Sequence, residues 1–132
     1  MADLAPPPNP SESPAALLRL CPAHGPTPLA DLPGLVGRFQ VVNIKLDKCG
    51  GLTEGLAMAR EARRLGLQVM VGNMVGSSLA MAPAFVLGQL CDVVDLDGPT
   101  FLSRDRTPGI EYAGGTAWSD DRIWGARAAA PA

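Results

Sequence analysis

The sequence is poor in the residues that build metal and redox centres. It has one histidine, His24, and three cysteines, Cys21, Cys49 and Cys91, which lie far apart and form no C-x-x-C pair. A zinc site is therefore not expected, no metal ligand is assigned, and a reduced cytoplasmic chain is the default reading. Neither sign of charge is in excess: 11 Lys and Arg stand against 13 Asp and Glu, a formal net charge of −2. That balance gives no reason to expect nucleic acid as a partner, and no acidic block forms a solvating tail. The N-terminus lacks a basic stretch followed by an apolar one, so no signal peptide is read there. The longest mostly apolar stretch, Leu79 to Leu90, is too short to span a bilayer and contains Pro83. No membrane partner is expected.

Apolar residues are plentiful, 47% of 132 positions, enough for one core in one domain. Proline is unevenly spread: nine of the 13 prolines lie in residues 1–33. Proline fixes φ and removes a donor. Residues 1–33 therefore read as an irregular, disordered or loosely attached arm, with at most one helical turn at Leu17 to Leu20. Residues 34–132 carry the regular pattern. Val41 to Leu46 predicts a strand, ended by Gly50 and Gly51. Leu52 to Leu65 predicts an amphipathic helix with Gly66 as its C-cap. Gln68 to Val71 predicts a second strand. A helix capped by Ser77 or Ser78 runs to about Leu90. Val93 to Leu96 predicts a third strand, and Gly98 to Gly125 reads as loop. The order β-α-β-α-β implies parallel strands joined by right-handed crossovers.

Parallel strands covered by helices are apolar on both faces, so polar exceptions are informative. Alternation puts Val42, Ile44 and Leu46 on one face of the first strand and Asn43, Lys45 and Asp47 on the other. In the third strand Val94 and Leu96 oppose Asp95 and Asp97. A polar face at the C-terminal strand ends marks the mouth of a β/α barrel, where active sites sit. A lysine acting as a base has to lose its proton near neutral pH, against a free amine pKa of about 10.4. Burial or a neighbouring cation favours that; the alternative for Lys45 is a side chain snorkelling from a strand end and paired with Asp47. Asp95 and Asp97 form a D-x-D. Like carboxylates on one face suit a cation, a metal or a substrate ammonium; a solvated strand end opening the Asp97-Gly98-Pro99 turn is the alternative. The stretch GNMVGSS, residues 72 to 78, leads into a helix whose free N–H groups could hold a carboxylate, or is an ordinary capped loop. Gly50-Gly51 is no phosphate loop, since no Gly-Lys-Ser/Thr follows. Met70, Met74 and Met81 read as core, Cys49 as packing without a partner base, and Trp118 and Trp124 as packing residues.

Read together, VNIKLDKCGGLTEGLAMAREARRLGLQVMVGNMVGSSLAMAPAF and DVVDLDGPTFLSRDRTPGIEY resemble the end of a dipeptide epimerase. These are enolase-superfamily enzymes of the mandelate racemase/muconate lactonizing type, in the muconate-lactonizing subgroup, of which L-Ala-D/L-Glu epimerases are members. The resemblance covers roughly residues 30 to 125. It implies an α/β fold, a partial (β/α)8 TIM-like barrel made of about the last three βα units. In that family, Mg²⁺ on three barrel carboxylates stabilises an enediolate, and two lysines on opposite sides of the dipeptide exchange its α-proton. Lys45 matches the second lysine, on the sixth barrel strand. Asp95 and Asp97 match the pair that binds the dipeptide's ammonium. Asn73, Met74 and Val75 match the loop whose backbone contacts the substrate.

The departures matter equally. A full barrel needs about 250 residues, and the capping domain, the first lysines and the first two metal carboxylates have no counterpart. Pro22-Ala23-His24-Gly25 stands where the third carboxylate is expected. Residues 1 to about 29 are accordingly expected to be unrelated to the family, an alternative start or out-of-frame coding. The expectation is a fragment of a Mg-dependent dipeptide epimerase that binds no Mg²⁺ and is inactive alone. Alternatives are another enzyme of the subgroup, such as a cycloisomerase or an o-succinylbenzoate synthase relative, or a non-enzymatic fragment that self-associates through exposed barrel edges.

Overall fold

Short runs rich in valine and isoleucine alternate with helix-forming runs, and the chain folds accordingly into parallel strands crossed over by helices. The computed structural model describes residues 20–21 and 29–124. Numbered in chain order, the strands β1 (Leu20–Cys21), β2 (Val41–Lys45), β3 (Gln68–Gly72) and β4 (Val93–Val94) form one parallel sheet in that order. A one-turn helix, α1 (Leu46–Cys49), and the longer α2 (Leu52–Arg64) connect β2 to β3, and α3 (Ser78–Gly88) connects β3 to β4. An antiparallel hairpin, β5 (Glu111–Ala113) and β6 (Thr116–Trp118), follows. Among the described residues no helix is long and apolar enough to cross a membrane.

The core follows from the two periodicities. Val42 and Ile44 of β2 lie beside Val69 and Val71 of β3 in register, and all four are buried. Against them α2 sets Gly55, Met58, Ala59 and Ala62, the i, i+3, i+4, i+7 stripe of an amphipathic helix. Each large aliphatic side chain so buried contributes roughly 1.5–3 kcal/mol before conformational entropy is subtracted. Gly66 ends α2 in the left-handed region, with φ 77. Its N–H donates to the Arg63 carbonyl and that of Leu67 to the Ala62 carbonyl, at 3.0 and 2.9 Å. This is the paired closure a glycine at that position permits.

The structure departs from the sequence expectations in four places. First, order begins within residues 1–33. Leu20–Cys21 pairs with Val41 and Val42, and Leu29–Leu35 is a 3₁₀ helix whose Leu32 is fully buried. Leu29, Leu32 and Leu35 recur every three residues, the 3₁₀ period, and all reach the core. Residues 1–19 and 22–28, including the stretch around His24, lie outside the described residues. Second, β2 ends at Lys45 and Leu46–Cys49 turns helical, so Asp47 does not continue the Lys45 face. Third, the tail is not all loop. Tyr112 and Trp118 belong to a hairpin turned by Gly114 and Gly115, both at positive φ (56 and 76). A two-residue loop of that kind needs glycine-like residues at both positions. Fourth, Trp118 and Trp124 are 64% and 49% exposed and Met74 is 46% exposed, so these three are not core.

Candidate active site

Parallel pairing sets residues of one face in rows across the strands. Lys45 stands opposite Gly72, and Val71 opposite Val94. The Asp95 N–H donates to the Val71 carbonyl at 2.9 Å, a bond that completes the Val71–Val94 pair; β4 ends there, so the strand expected to run to Leu96 stops short and Asp95 and Asp97 lie just beyond it. Lys45 and Gly72 thus end two adjacent strands as a pair, and Asp95 follows directly on the end of the third.

A side chain at Gly72 would crowd two side chains of β2. A Cβ on Gly72 would stand 2.9 Å from Asn43 Oδ1 and 3.3 Å from Lys45 Cε. The half-buried Lys45 side chain therefore leans across β3, where its Nζ lies 4.0 Å from Met74 Sδ. A second glycine closes the other side. A Cβ on Gly98 would stand 2.7 Å from the Met74 carbonyl oxygen and closer still to Asn73 Nδ2. The chain leaving Asp97 consequently presses directly on the Asn73–Met74 loop. Contacts thus link Lys45, Asn73, Met74 and the turn after Asp97 along one rim. Val75, at the loop apex, is 65% exposed.

Asp95 and Asp97 are both exposed and line a concavity of about 560 Å³ together with Phe85, Val94, Leu96 and Tyr112. Lys45 is not among its lining residues. The Tyr112 hydroxyl donates to the Leu96 carbonyl at 2.6 Å and ties the hairpin to the D-x-D segment. Burial, and then the negative charge of Asp97 and Asp105, raise the Tyr112 phenol above its ordinary value.

The N-terminus of α3 holds a carboxylate, and it is the chain's own. Asp105 accepts from the Ser78 N–H at 3.1 Å and from the Ser78 hydroxyl, and the Ser78 hydroxyl oxygen accepts from the Ile110 N–H at 2.8 Å. Ser77, at the N-cap, makes no side-chain capping bond. Of the two readings of residues 72 to 78, the capped loop is therefore the observed one, with the cap supplied from 27 residues downstream. Partial burial opposes ionisation of Asp105. The hydrogen bonds from Ser78 and the Arg106 N–H, with the Arg106 charge, outweigh it and leave the carboxyl below its usual range.

Among the described residues no three His, Cys, Asp or Glu side chains stand close enough to share a metal ion. The described residues therefore offer no carboxylate cluster of the kind that the resemblance implies for Mg²⁺ in the parent family. The Cys49 and Cys91 thiols are not activated either. Burial pushes Cys91 up to about 11, and raises Cys49 as well.

Sequence reasoning missed Gly72, Gly98 and Asp105, which shape this rim. Each had a weak signal: a glycine at a strand end, a glycine after the D-x-D, and an acid in a stretch taken for loop.

No family model matches the chain. It is 55% identical over 85 residues to N-acetyl-D-glutamate racemase of a Pseudoalteromonas species, covering 64% of this chain and 27% of that protein. It is 41% identical over 114 residues to L-Ala-D/L-Glu epimerase of Escherichia coli (strain K12), covering 82% of this chain and 36% of that one. The second match takes in more of the chain than residues 30 to 125. Among solved structures, an enolase family member from Agrobacterium tumefaciens with homology to dipeptide epimerases superposes with a TM-score of 0.67 at 51% identity. That structure, described with bound sodium and L-Ala-L-Glu, is matched over 70% of this chain and 28% of its own length. The chain thus spans about a quarter to a third of the length of the relatives it matches. It is a relative of the dipeptide epimerases of the enolase superfamily and corresponds to one part of such an enzyme.

Proposed function

We propose that the rim described above is part of a dipeptide epimerase active site, carried on the last strands of a (β/α)8 barrel. Lys45 is the base that takes the α-proton of the dipeptide's C-terminal residue on one face. Asp95 and Asp97 hold the α-ammonium, and the Asn73–Val75 backbone contacts the substrate. The observation that supports this most is that Lys45 and Gly72 end adjacent paired strands, with Asp95 following the end of the next strand. Consecutive Cα atoms are about 3.8 Å apart, so a dipeptide laid over Gly72 can offer its C-terminal α-carbon to Lys45 and its ammonium to Asp95.

Inversion needs a proton removed from one face and returned on the other, and Lys45 serves one face. The α-hydrogen of a carboxylate is weakly acidic, and electrostatic stabilisation of the enediolate is the larger share of catalysis. In relatives solved with Mg²⁺, the ion's charge is suited to that task. The described residues here provide a base and a cation site without a carboxylate cluster. The 132-residue chain by itself is therefore expected to bind L-Ala-L-Glu without turning it over. In an NMR titration the dipeptide should shift the signals of Lys45, Asp95 and Asp97, and Asp95→Asn with Asp97→Asn should abolish the effect. Shifts confined to other residues would overturn the assignment. Deuterium entering the substrate α-carbon from D₂O, with Mg²⁺ added, would overturn the expected inactivity.

A second reading is supported by the 55% identity to an N-acetyl-D-glutamate racemase. N-acetylglutamate and Ala-Glu are both N-acylated glutamates; only the dipeptide carries the ammonium. If N-acetylglutamate binds as well as L-Ala-L-Glu, and neither responds to Asp95→Asn, the racemase reading replaces the first. The edge of β4 also leaves Val93 and Val94 exposed, and an unpaired strand edge favours association. Elution that shifts with concentration in size-exclusion chromatography is the corresponding expectation; a monomer at every concentration rejects it.

A further inference from the structure

The rim contains one polar atom whose bonding is unaccounted for. Asn43 lies two residues before Lys45 on β2, on the same face of the sheet. Its side-chain oxygen is buried and, among the described residues, has no hydrogen-bond partner. A buried acceptor left unmade is unfavourable, and such groups in folded proteins nearly always find a donor. The residue beside Asn43 on β3 is Met70, which has no side-chain donor.

Lys45 is the donor within reach. The space that a side chain on Gly72 would fill is bordered by Asn43 Oδ1 at 2.9 Å and by Lys45 Cε at 3.3 Å. The lysine carries three N–H groups on a freely rotating terminal bond. In the described arrangement they face only the weak sulfur acceptor of Met74, at 4.0 Å. Among the described residues Lys45 forms no ion pair. The charged groups on the neighbouring elements are Asp95, just past the end of β4, and Asp47 and Lys48 on the α1 turn that follows.

We infer that Asn43 is a positioning residue for Lys45: its side-chain carbonyl accepts from the Lys45 ammonium over the gap left by Gly72, holding the charged form between proton transfers. Rotation about the last lysine bonds moves the amine between Asn43 and the space above Met74. The amide has no charge of its own, so it steadies the ammonium without fixing it there as a carboxylate would. This inference rests on the reading of Lys45 as the base.

The experiment uses the full chain without any dipeptide. Lysine side chains labelled at Cε are titrated by NMR, with Lys48 as the internal control. An acceptor that stabilises the ammonium raises its midpoint, so Asn43→Leu should lower the Lys45 midpoint by about one pH unit, the scale of one charge-assisted hydrogen bond. Lys48 should stay within about 0.2 unit on that scale. Asn43→Asp, of the same shape, should keep the Lys45 midpoint at or above its original value. A Lys45 midpoint that does not move in Asn43→Leu overturns the inference. Should that variant fail to fold, the unaltered protein decides: the Asn43 side-chain carbonyl carbon must follow the Lys45 titration, and a flat response refutes the contact. Failure here leaves the base assignment standing, because the dipeptide titration tests that separately.

Discussion

The contact between Asp105 and Ser78 fixes how firmly the tail holds to the sheet, and replacing Asp105 by alanine isolates it. Two effects add. The first turn of α3 loses the carboxylate that caps the Ser78 N–H, worth roughly 0.5–2 kcal/mol. The Ser78 hydroxyl, fully buried, loses the acceptor for its proton, and an unsatisfied buried donor costs roughly 1–3 kcal/mol. The expected loss of folding stability is about 2–4 kcal/mol, at the upper end of ordinary substitutions. Asp105→Asn keeps one acceptor and should lose less. The pH dependence has a definite sign. The folded carboxyl sits below its usual range, so its stabilisation is complete above the unfolded pKa of about 3.9 and disappears as pH falls through the lower folded value. Urea unfolding followed by circular dichroism between pH 3 and 7 measures both quantities. The gap between the original protein and Asp105→Asn should be constant above about pH 5 and shrink below pH 4. An Asp105→Ala variant within about 0.5 kcal/mol of the original protein at pH 7, the range of ordinary surface changes, would refute the reasoning.

Gly98→Ala forces a methyl group to within 2.7 Å of the Met74 carbonyl oxygen; the expected cost is about 1–3 kcal/mol, read by urea unfolding, with amide shifts at Asn73 and Met74 in the NMR spectrum. Tyr112→Phe removes the 2.6 Å bond to the Leu96 carbonyl and should cost about 1 kcal/mol, with faster hydrogen exchange in the β5–β6 hairpin; unchanged exchange there counts against the tie. Cys91, with its thiol pushed up to about 11, should resist iodoacetamide at pH 8 in the folded protein and react in urea. Rapid modification of the folded protein at Cys91, located by peptide mass mapping, contradicts the burial argument.

The parts of the fold set by local pattern were legible in the sequence. Val41 to Lys45 and Gln68 to Gly72 are β-branched and apolar, α2 has a helical stripe, and Gly66 marks its end; each needs only its neighbours. What was hidden depends on residues far apart in the chain. Asp105 caps a helix that begins 27 residues earlier, and nothing in its own surroundings signals that. Leu20–Cys21 becomes a strand because the buried Val41 and Val42 lie alongside it, although proline-rich flanks disfavour regular structure. The Gly114–Gly115 turn was a local signal that was overlooked, since Tyr-Ala and Thr-Ala-Trp on either side fit a short hairpin. At the rim, alternation put Lys45 on the Asn43 face of β2, but for Asp95 and Asp97 it assumed a strand to Leu96, whereas β4 ends at Val94. It carried that logic too far at Asp47, because strand periodicity stops where α1 begins.

The two glycines of the rim explain why polar residues cluster there without disturbing the core. On the helix side of the same strands, Val42, Ile44, Val69, Val71 and Leu96 are packed with α2 and α3, and any change of volume is resisted. On the opposite side Gly72 offers no side chain, so Asn43 and Lys45 settle over it. Gly98 lets the D-x-D turn touch the Asn73–Met74 loop through backbone alone. The lysine is thereby supported from β2 and β3, and the acids follow the end of β4, on adjacent strands whose spacing is fixed by hydrogen bonds. A site built this way would hold the proposed base and the proposed cation binder near each other even where the attached side chains move. Filling either gap should therefore disturb binding at the rim before it disturbs the core. Gly98→Ala is the sharper case, because its methyl group would meet the Met74 backbone carbonyl as well as Asn73, whereas at Gly72 only the Asn43 and Lys45 side chains stand in the way.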